Sequence, residues 1–421
     1  MNLLLRNVAL WNADRILERA DVRVRDGKIV EISEIPLGLG SGETERDAAG
    51  AALLPAGVDL QVHLRVPGQP QKETAETGLL AARKGGYAAI LTMPNTKPVI
   101  DTPEILEEAK RQTAPFEKAT GVRVLWSVAM TFGQGGEKAT DAVALKKAGA
   151  VALTDDGVGV SRDDVMEKVF RQAELSGLPL LQHAEVPGHG GVLASGPVQK
   201  SLGLKAYPAD AEWKMVDRDL KILSRFKDVR YHVLHVSASE TLEVLKRAQR
   251  QGLMATGEAT PHHLHFSSED IVPSNTSYKM NPPIRSAKDR DAIMDALVDG
   301  TLAFVSTDHA PHESELKGSD FSASAYGTTG LETSLRVLLD LQAQGKISAR
   351  RLVEVFSTAP ADFIGVGREL GVLEKGRDFK AVLVDPKAPA TKINDADLAS
   401  LSHNNIFLGV PLRGRILEVF L

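Results

Sequence analysis

Cysteine is absent from this chain of 421 residues. That excludes disulfides and thiolate metal sites, so any metal must be held by histidine and carboxylate. It also fits a reducing, cytoplasmic setting. A run of about 18 apolar residues, the length a membrane helix needs, is missing as well. The N-terminus, "MNLLLRNVALWNADRILERA", soon turns charged and reads as neither a signal peptide nor a membrane span. No charge of one sign dominates: 50 Lys and Arg stand against 55 Asp and Glu, a net charge of -5. That balance points to no nucleic-acid partner. Low-complexity tracts and short exact repeats are lacking too. What remains is a globular composition, 43% hydrophobic and 25% charged. The length suits two or three domains, or one large barrel with additions.

The apolar pattern changes along the chain. At the N-terminal end, "LLLRNVALWN", "ADVRVRDGKIVEISE" and "GAALLPAGVDL" read as short strands, with "RDGK" as a hairpin turn. The C-terminal "GVLEKGRDFKAVLVDP" and "GVPLRGRILEVFL" read the same way. Two β-rich ends around one middle segment predict a small β-sandwich-like domain over 1–55 and 366–421, built jointly by both termini. In between, strand-like runs alternate with helical ones. The strand-like runs are "GVDLQVHLR", "AAILTMPN", "VRVLWSVAM", "GAVALTDDG", "PLLQHAE", "VRYHVLHVS", "LMATGEATPHH" and "LAFVSTDHAPH". Among the helical segments, Thr102 and Pro103 suit an N-cap and first helical position. Ser161 and Asp164 stand in capping-box spacing ahead of a stop at Gly177. Eight buried-type strands alternating with helices predict an α/β fold, a (β/α)8 TIM-type barrel over 56–365.

The strands stay apolar until their C-terminal ends. There they carry His63 and Arg65, then Asn95, Asp156, His183, His235, the His262–His263 pair, Asp308 and His312. A barrel gathers those ends around one mouth, where its active sites lie. Any one of these histidines alone reads as an ordinary strand-end residue. Three on different strands, joined by Asp156 and Asp308, point to a metal site. His232, His189, His403 and the 262–265 histidines read as structural or loop residues. Arg65 is an anion clamp or an ordinary salt-bridge partner, Arg285 an ordinary salt-bridge partner, and Asn95 a site or a turn residue. The segment "DHAPHESELKGSDF" has the composition of a closing loop.

Together "PAGVDLQVHLRVPGQ", "TMPNT", "LTDDGVGV", "LLQHAEV", "YHVLHVS", "YKMNPPIR", "STDHAPH" and "AYGTTGLE" resemble the amidohydrolase superfamily. The pattern is most similar to bacterial dihydroorotases of the type with Asp in place of a carboxylated lysine. That resemblance implies the reversible cyclisation of N-carbamoyl-L-aspartate to L-dihydroorotate, a step of pyrimidine biosynthesis. It implies zinc: one metal at a His-x-His pair, here Gln61 and His63, with Asp308, and a second at His183 and His235. Asp156 would bridge them, in preference to Asp155. Arg65, Asn95, Asn281 and His312 match substrate-contacting positions, with Tyr326 and Gly327 beside the bound ring. Asp308 would be the catalytic general base and acid. Hydantoinase- and allantoinase-like cyclic amidases typically use a lysine at the strand-four bridge, whereas the nearest lysines here, Lys146 and Lys147, sit in a helical stretch.

Gln61 departs from the pattern. A neutral amide oxygen binds zinc less well than imidazole. The residues therefore predict one firm metal site at Asp156, His183 and His235, and one weak site around His63 and Asp308. They leave open a working dihydroorotase, a dihydroorotase-like subunit of low activity partnering aspartate transcarbamoylase, or another cyclic amidase. The resemblance also suggests a homodimer, with the small-molecule substrate as the other partner.

Overall fold

A computed structural model describes residues 1–421. Five strands come first: β1 (Leu3–Trp11), β2 (Ile16–Arg25), β3 (Lys28–Ser33), β4 (Thr44–Asp47) and β5 (Ala52–Pro55). The β2–β3 turn is the expected hairpin. Arg25 pairs with Lys28, and Asp26 (φ 51°) and Gly27 (φ 75°) adopt the positive φ that a two-residue turn of this kind demands.

Eight parallel strands follow: β6 (Gly57–Val62), β7 (Tyr87–Thr92), β8 (Arg123–Val128), β9 (Ala152–Leu153), β10 (Leu180–Gln182), β11 (Tyr231–Val233), β12 (Ala255–Ala259) and β13 (Phe304–Val305). They neighbour one another in chain order, as right-handed strand–helix units require. The first and last are drawn together by a bridge between Val62 and His309. The buried Asp59 carboxylate adds to this by accepting the Gln61 and Thr307 amides at 3.1 Å each. Leu60, Leu91, Leu125, Leu181 and Phe304 share one core drawn from strands around the ring. A larger core joins the strands to helical residues such as Leu106, Val169, Leu245 and Leu338. The barrel is thus filled by side chains, mostly apolar, with a few buried polar residues such as Asp59, His232 and Glu258 among them.

Two last strands, β14 (Ala381–Asp385) and β15 (Arg415–Phe420), return to the N-terminal ones. The seven strands from both ends form one sheet, ordered β15-β14-β5-β1-β2-β3, with β4 also on β1. Period-two alternation divides its faces. Ala52, Leu54, Val382 and Val384 join the large barrel core, while Leu53, Ala381 and Leu383 pack with Leu3, Val22 and Phe420.

Helix boundaries follow local chemistry. The helix Pro103–Thr120 has the Thr102 hydroxyl on the Ile105 amide and Pro103 at its start. The helix Asp163–Ser176 ends at left-handed Gly177, but the expected capping box at Ser161 does not form. Arg162 is its N-cap residue instead, and its guanidinium grips the Asp164 carboxylate at 2.8 and 3.0 Å. A full ion pair outcompetes a neutral cap for that carboxylate.

Candidate active site

Every residue expected above to bind metal or substrate lines one cavity at the C-terminal rim of the strands, together with Gly157 and Ala310. Arg65 (φ 62°), His235 (φ 33°) and Asp308 (φ 49°) hold left-handed backbone where strand passes into loop. Such conformations cost about 1–3 kcal/mol each in non-glycine residues and cluster at functional sites.

Asp156 lies at the centre, fully buried. Its Oδ1 is 3.6 Å from both His183 Nδ1 and His235 Nε2, and its Oδ2 is 3.2 Å from His63 Nε2. Burial alone would raise its pKa, but the surrounding imidazoles hold it well below the usual carboxylate range. Burial alone would depress His183, yet Asp156 and Glu185 push it up to about 10. Potential ligand atoms of Asp156, His183 and His235 all lie within 4.8 Å of one another. The two imidazole nitrogens face each other at 2.9 Å. Once the proton shared between them is displaced, two ring nitrogens converging beside a carboxylate make a donor set that fits a divalent cation.

The other half differs. His63 Nε2 stands 3.1 Å from Asp308 Oδ1 as well as facing Asp156. Asn95 steadies it: its Oδ1 meets His63 Nδ1 at 3.0 Å, and its amide donates to the Asp156 carbonyl. Gln61, wholly buried, supplies no anionic or imidazole ligand. Because a carboxylate only accepts, the Gln61 Nε2 donates to Asp156 Oδ1 at 3.2 Å, and its Oε1 has no partner.

Across the cavity, Arg65 is buried, which lowers its pKa to about 10 but leaves it charged at neutral pH. Its Nε donates to the Pro311 carbonyl and its Nη2 to His312 Nε2, both at 3.3 Å. Nη1 stays uncommitted. Burial and the Arg65 charge push His312 down to about 2. It is therefore neutral, with Nε2 as acceptor and the proton on Nδ1, an atom without a protein partner. The two side chains together offer N–H donors to an anion.

The segment after β13 carries Tyr326 and Gly327 and is tied down by two buried lysines. Lys279 donates to the Ser322 and Ser324 carbonyls, and Lys317 to those of Ala325 and Gly327. The Tyr326 hydroxyl donates to the Gly191 carbonyl at 3.0 Å, and the Lys279 ammonium sits over its ring. Gly327 (φ 108°) must be glycine, since a Cβ would fall 2.7 Å from the Ala310 Cβ.

Sequence reasoning missed Glu185, whose Oε2 meets both His183 Nε2 (3.4 Å) and Asn281 Nδ2 (3.0 Å). The only signal was its spacing, two residues after His183. Other polar residues stay outside the cavity. Asp155 accepts the Met130 and Thr131 amides and the Thr131 hydroxyl. His232 stacks on Phe304 and pairs with Glu258. His263 bonds Thr260 and the Pro282 carbonyl. His403 pairs with Asp395. Lys146, at the end of the helix Ala142–Lys147, reaches the Ser176 carbonyl. Arg285 bonds Ser237 and the Tyr207 carbonyl.

A family model described as "Dihydro-orotase-like" matches residues 50–241. The chain is 36% identical to the dihydroorotase of Geobacillus thermodenitrificans, covering 98% of this chain and 96% of that one. It is 37% identical to that of Bacillus caldolyticus (98% and 96%) and 36% identical to that of Bacillus subtilis (98% and 95%). Among solved structures, the L-hydantoinase (dihydropyrimidinase) from Arthrobacter aurescens superposes with a TM-score of 0.88 at 24% identity, covering 100% of this chain and 94% of that one. A D-hydantoinase superposes at 0.85, also at 24% identity and with the same coverage. At that identity the likeness shows the fold.

Proposed function

Because the chain belongs to the dihydroorotase family, we propose that it is a zinc-dependent dihydroorotase, interconverting N-carbamoyl-L-aspartate and L-dihydroorotate in pyrimidine synthesis. The observation that carries this reading is the meeting, in one cavity, of a His–His–Asp ligand set with a buried arginine whose Nη1 is uncommitted. The first suits hydrolysis of an unactivated amide, and the second suits an acidic substrate.

Asp156, His183 and His235 would hold the zinc; two imidazoles and a carboxylate with an open position form a known catalytic arrangement. When bound, the zinc activates water and polarises the scissile carbonyl. The remaining work belongs to the chain. Arg65 Nη1 and the His312 Nδ1–H bind the substrate α-carboxylate. Asn95 keeps the His63 ring turned toward Asp308. In the hydrolytic direction Asp308 accepts a proton from the attacking water and delivers it to the departing ring nitrogen. In the cyclising direction it removes a proton from the carbamoyl N–H. The loop tied down by Lys279 and Lys317 covers the ring through Tyr326 and Gly327.

Gln61 gives His63 no imidazole partner, and its Nε2 is held in a contact with Asp156 Oδ1, which supports a weak second site around His63 and Asp308 beside one firm zinc at Asp156, His183 and His235. The same contact favours a second reading, a subunit of low activity working beside aspartate transcarbamoylase. The intact anion side argues against it. Arg65 and the aspartate at the end of β9 argue against a hydantoinase- or allantoinase-like activity. Zinc analysis with a dihydroorotate hydrolysis assay, on this chain and on Gln61→His, tests the proposal. One zinc per chain with turnover is expected. A metal-free, inactive chain beside a two-zinc, active Gln61→His would overturn it.

A further inference from the structure

His183 offers one ring nitrogen to the ligand cluster, and Glu185 meets the other. The Glu185 carboxylate lies behind the mouth, bordering a neighbouring hollow rather than the catalytic cavity. Its Oε2 is 3.4 Å from His183 Nε2 and 3.0 Å from Asn281 Nδ2. A carboxylate accepts and never donates, and that fixes two choices. His183 must present an N–H at Nε2, which reserves the Nδ1 lone pair for the ligand side. Asn281 must turn its NH2 toward Glu185, which leaves Oδ1 as its remaining hydrogen-bonding atom. That Oδ1 is buried and has no protein partner, although Asn281 lines the catalytic cavity. The backbone leaves room for the carboxylate: a Cβ on Gly190 would fall 2.0 Å from Glu185 Oε1.

We propose that Glu185 is a positioning residue with two outputs, fixing the tautomer of His183 for metal binding and the amide orientation of Asn281 for substrate binding. Asn281 then acts as an acceptor for a ureide N–H of the substrate, a donor that a simple dicarboxylic acid lacks. The proposal rests on the dihydroorotase reading and deepens it.

The two outputs separate by experiment. Zinc affinity, from competition with a chelating indicator, and KM for dihydroorotate are measured for the full chain, Glu185→Ala, Glu185→Gln, Asn281→Ala and the Glu185→Ala/Asn281→Ala double variant. Loss of a group that orients a ligand typically weakens metal binding about 10–100-fold. Glu185→Ala is expected to show that loss whether or not Asn281 is present. It should also raise KM about tenfold, the scale of a lost buried hydrogen bond, but leave KM unchanged when added to Asn281→Ala. Glu185→Gln keeps an oxygen for both donors and should recover most of each effect, which separates positioning from misfolding. Zinc affinity within twofold of wild type in Glu185→Ala overturns the His183 half. Equal KM increases in both Asn281 backgrounds overturn the other half. A wild-type chain that binds zinc but leaves dihydroorotate intact sinks the functional reading and the Asn281 half with it. The chelator titration then still decides the link to His183.

Discussion

The proposal of one firm and one weak zinc turns on a single residue, Gln61, whose Nε2 donates to Asp156 Oδ1 at 3.2 Å. Replacing Gln61 by histidine should raise bound zinc from one to two per chain, as elemental analysis would read. Asp308→Asn should lower kcat by about 10²–10⁴-fold, the usual scale for a lost general acid–base, while the firm zinc remains. His183 carries a pH signature. In the metal-free chain its pKa is raised from 6.5 to about 10, so its ion pairs stabilise the fold fully below about 6.5. That stabilisation fades as pH rises through 10. Melting of the metal-free chain should therefore fall more steeply between these limits than that of His183→Asn, and equal slopes would refute the assignment. That the expected ligands would share one cavity was legible because each closes an apolar strand with a polar residue. Glu185 was not, because a carboxylate beside a histidine has no periodicity to betray it. Neither were the left-handed turns at His235 and Asp308, which side-chain identity does not announce.

Among the elements, the loop after β13 shows how much a segment depends on what lies beneath it. Its composition suggested a cover, but not that Lys279 and Lys317 would fasten it through four backbone carbonyls. Burial pushes Lys317 from 10.5 down to about 7. The penalty on its charged form is therefore fully present below pH 7 and is relieved as pH rises toward 10.5. Lys317→Met should hold or raise the melting temperature at pH 6, yet speed proteolysis of residues 313–325 and raise KM. A lower melting temperature with unchanged proteolysis would contradict this. The barrel strands were readable for a simple reason: parallel strands buried on both faces form continuous apolar runs. Caps were readable only where no charge competed. Thr102 caps as its hydroxyl suggests, whereas the Arg162–Asp164 ion pair displaces the expected Ser161 box.

At the scale of the whole molecule, the joint sheet ties the two ends together. That both ends would contribute was visible in their alternating strands. The strand order was not, because pairings such as β5 with β14 join residues far apart in sequence, and no local pattern encodes them. Deleting Arg415–Leu421 would leave β14 with an open edge and strip Phe420 from Phe379, with which it packs at 5.0 Å between ring centroids. A lower melting temperature and concentration-dependent aggregation are expected on calorimetry and size-exclusion chromatography; an unchanged monomer would count against this view of the sheet. The same pairing has a temporal side. On the ribosome β1 to β5 emerge first, yet β5 waits for a partner made near the end of translation. The barrel strands, each beside its predecessor, have no such delay. A nascent chain halted before Ala381 would already carry every residue that lines the cavity while the clasp between its ends was still open.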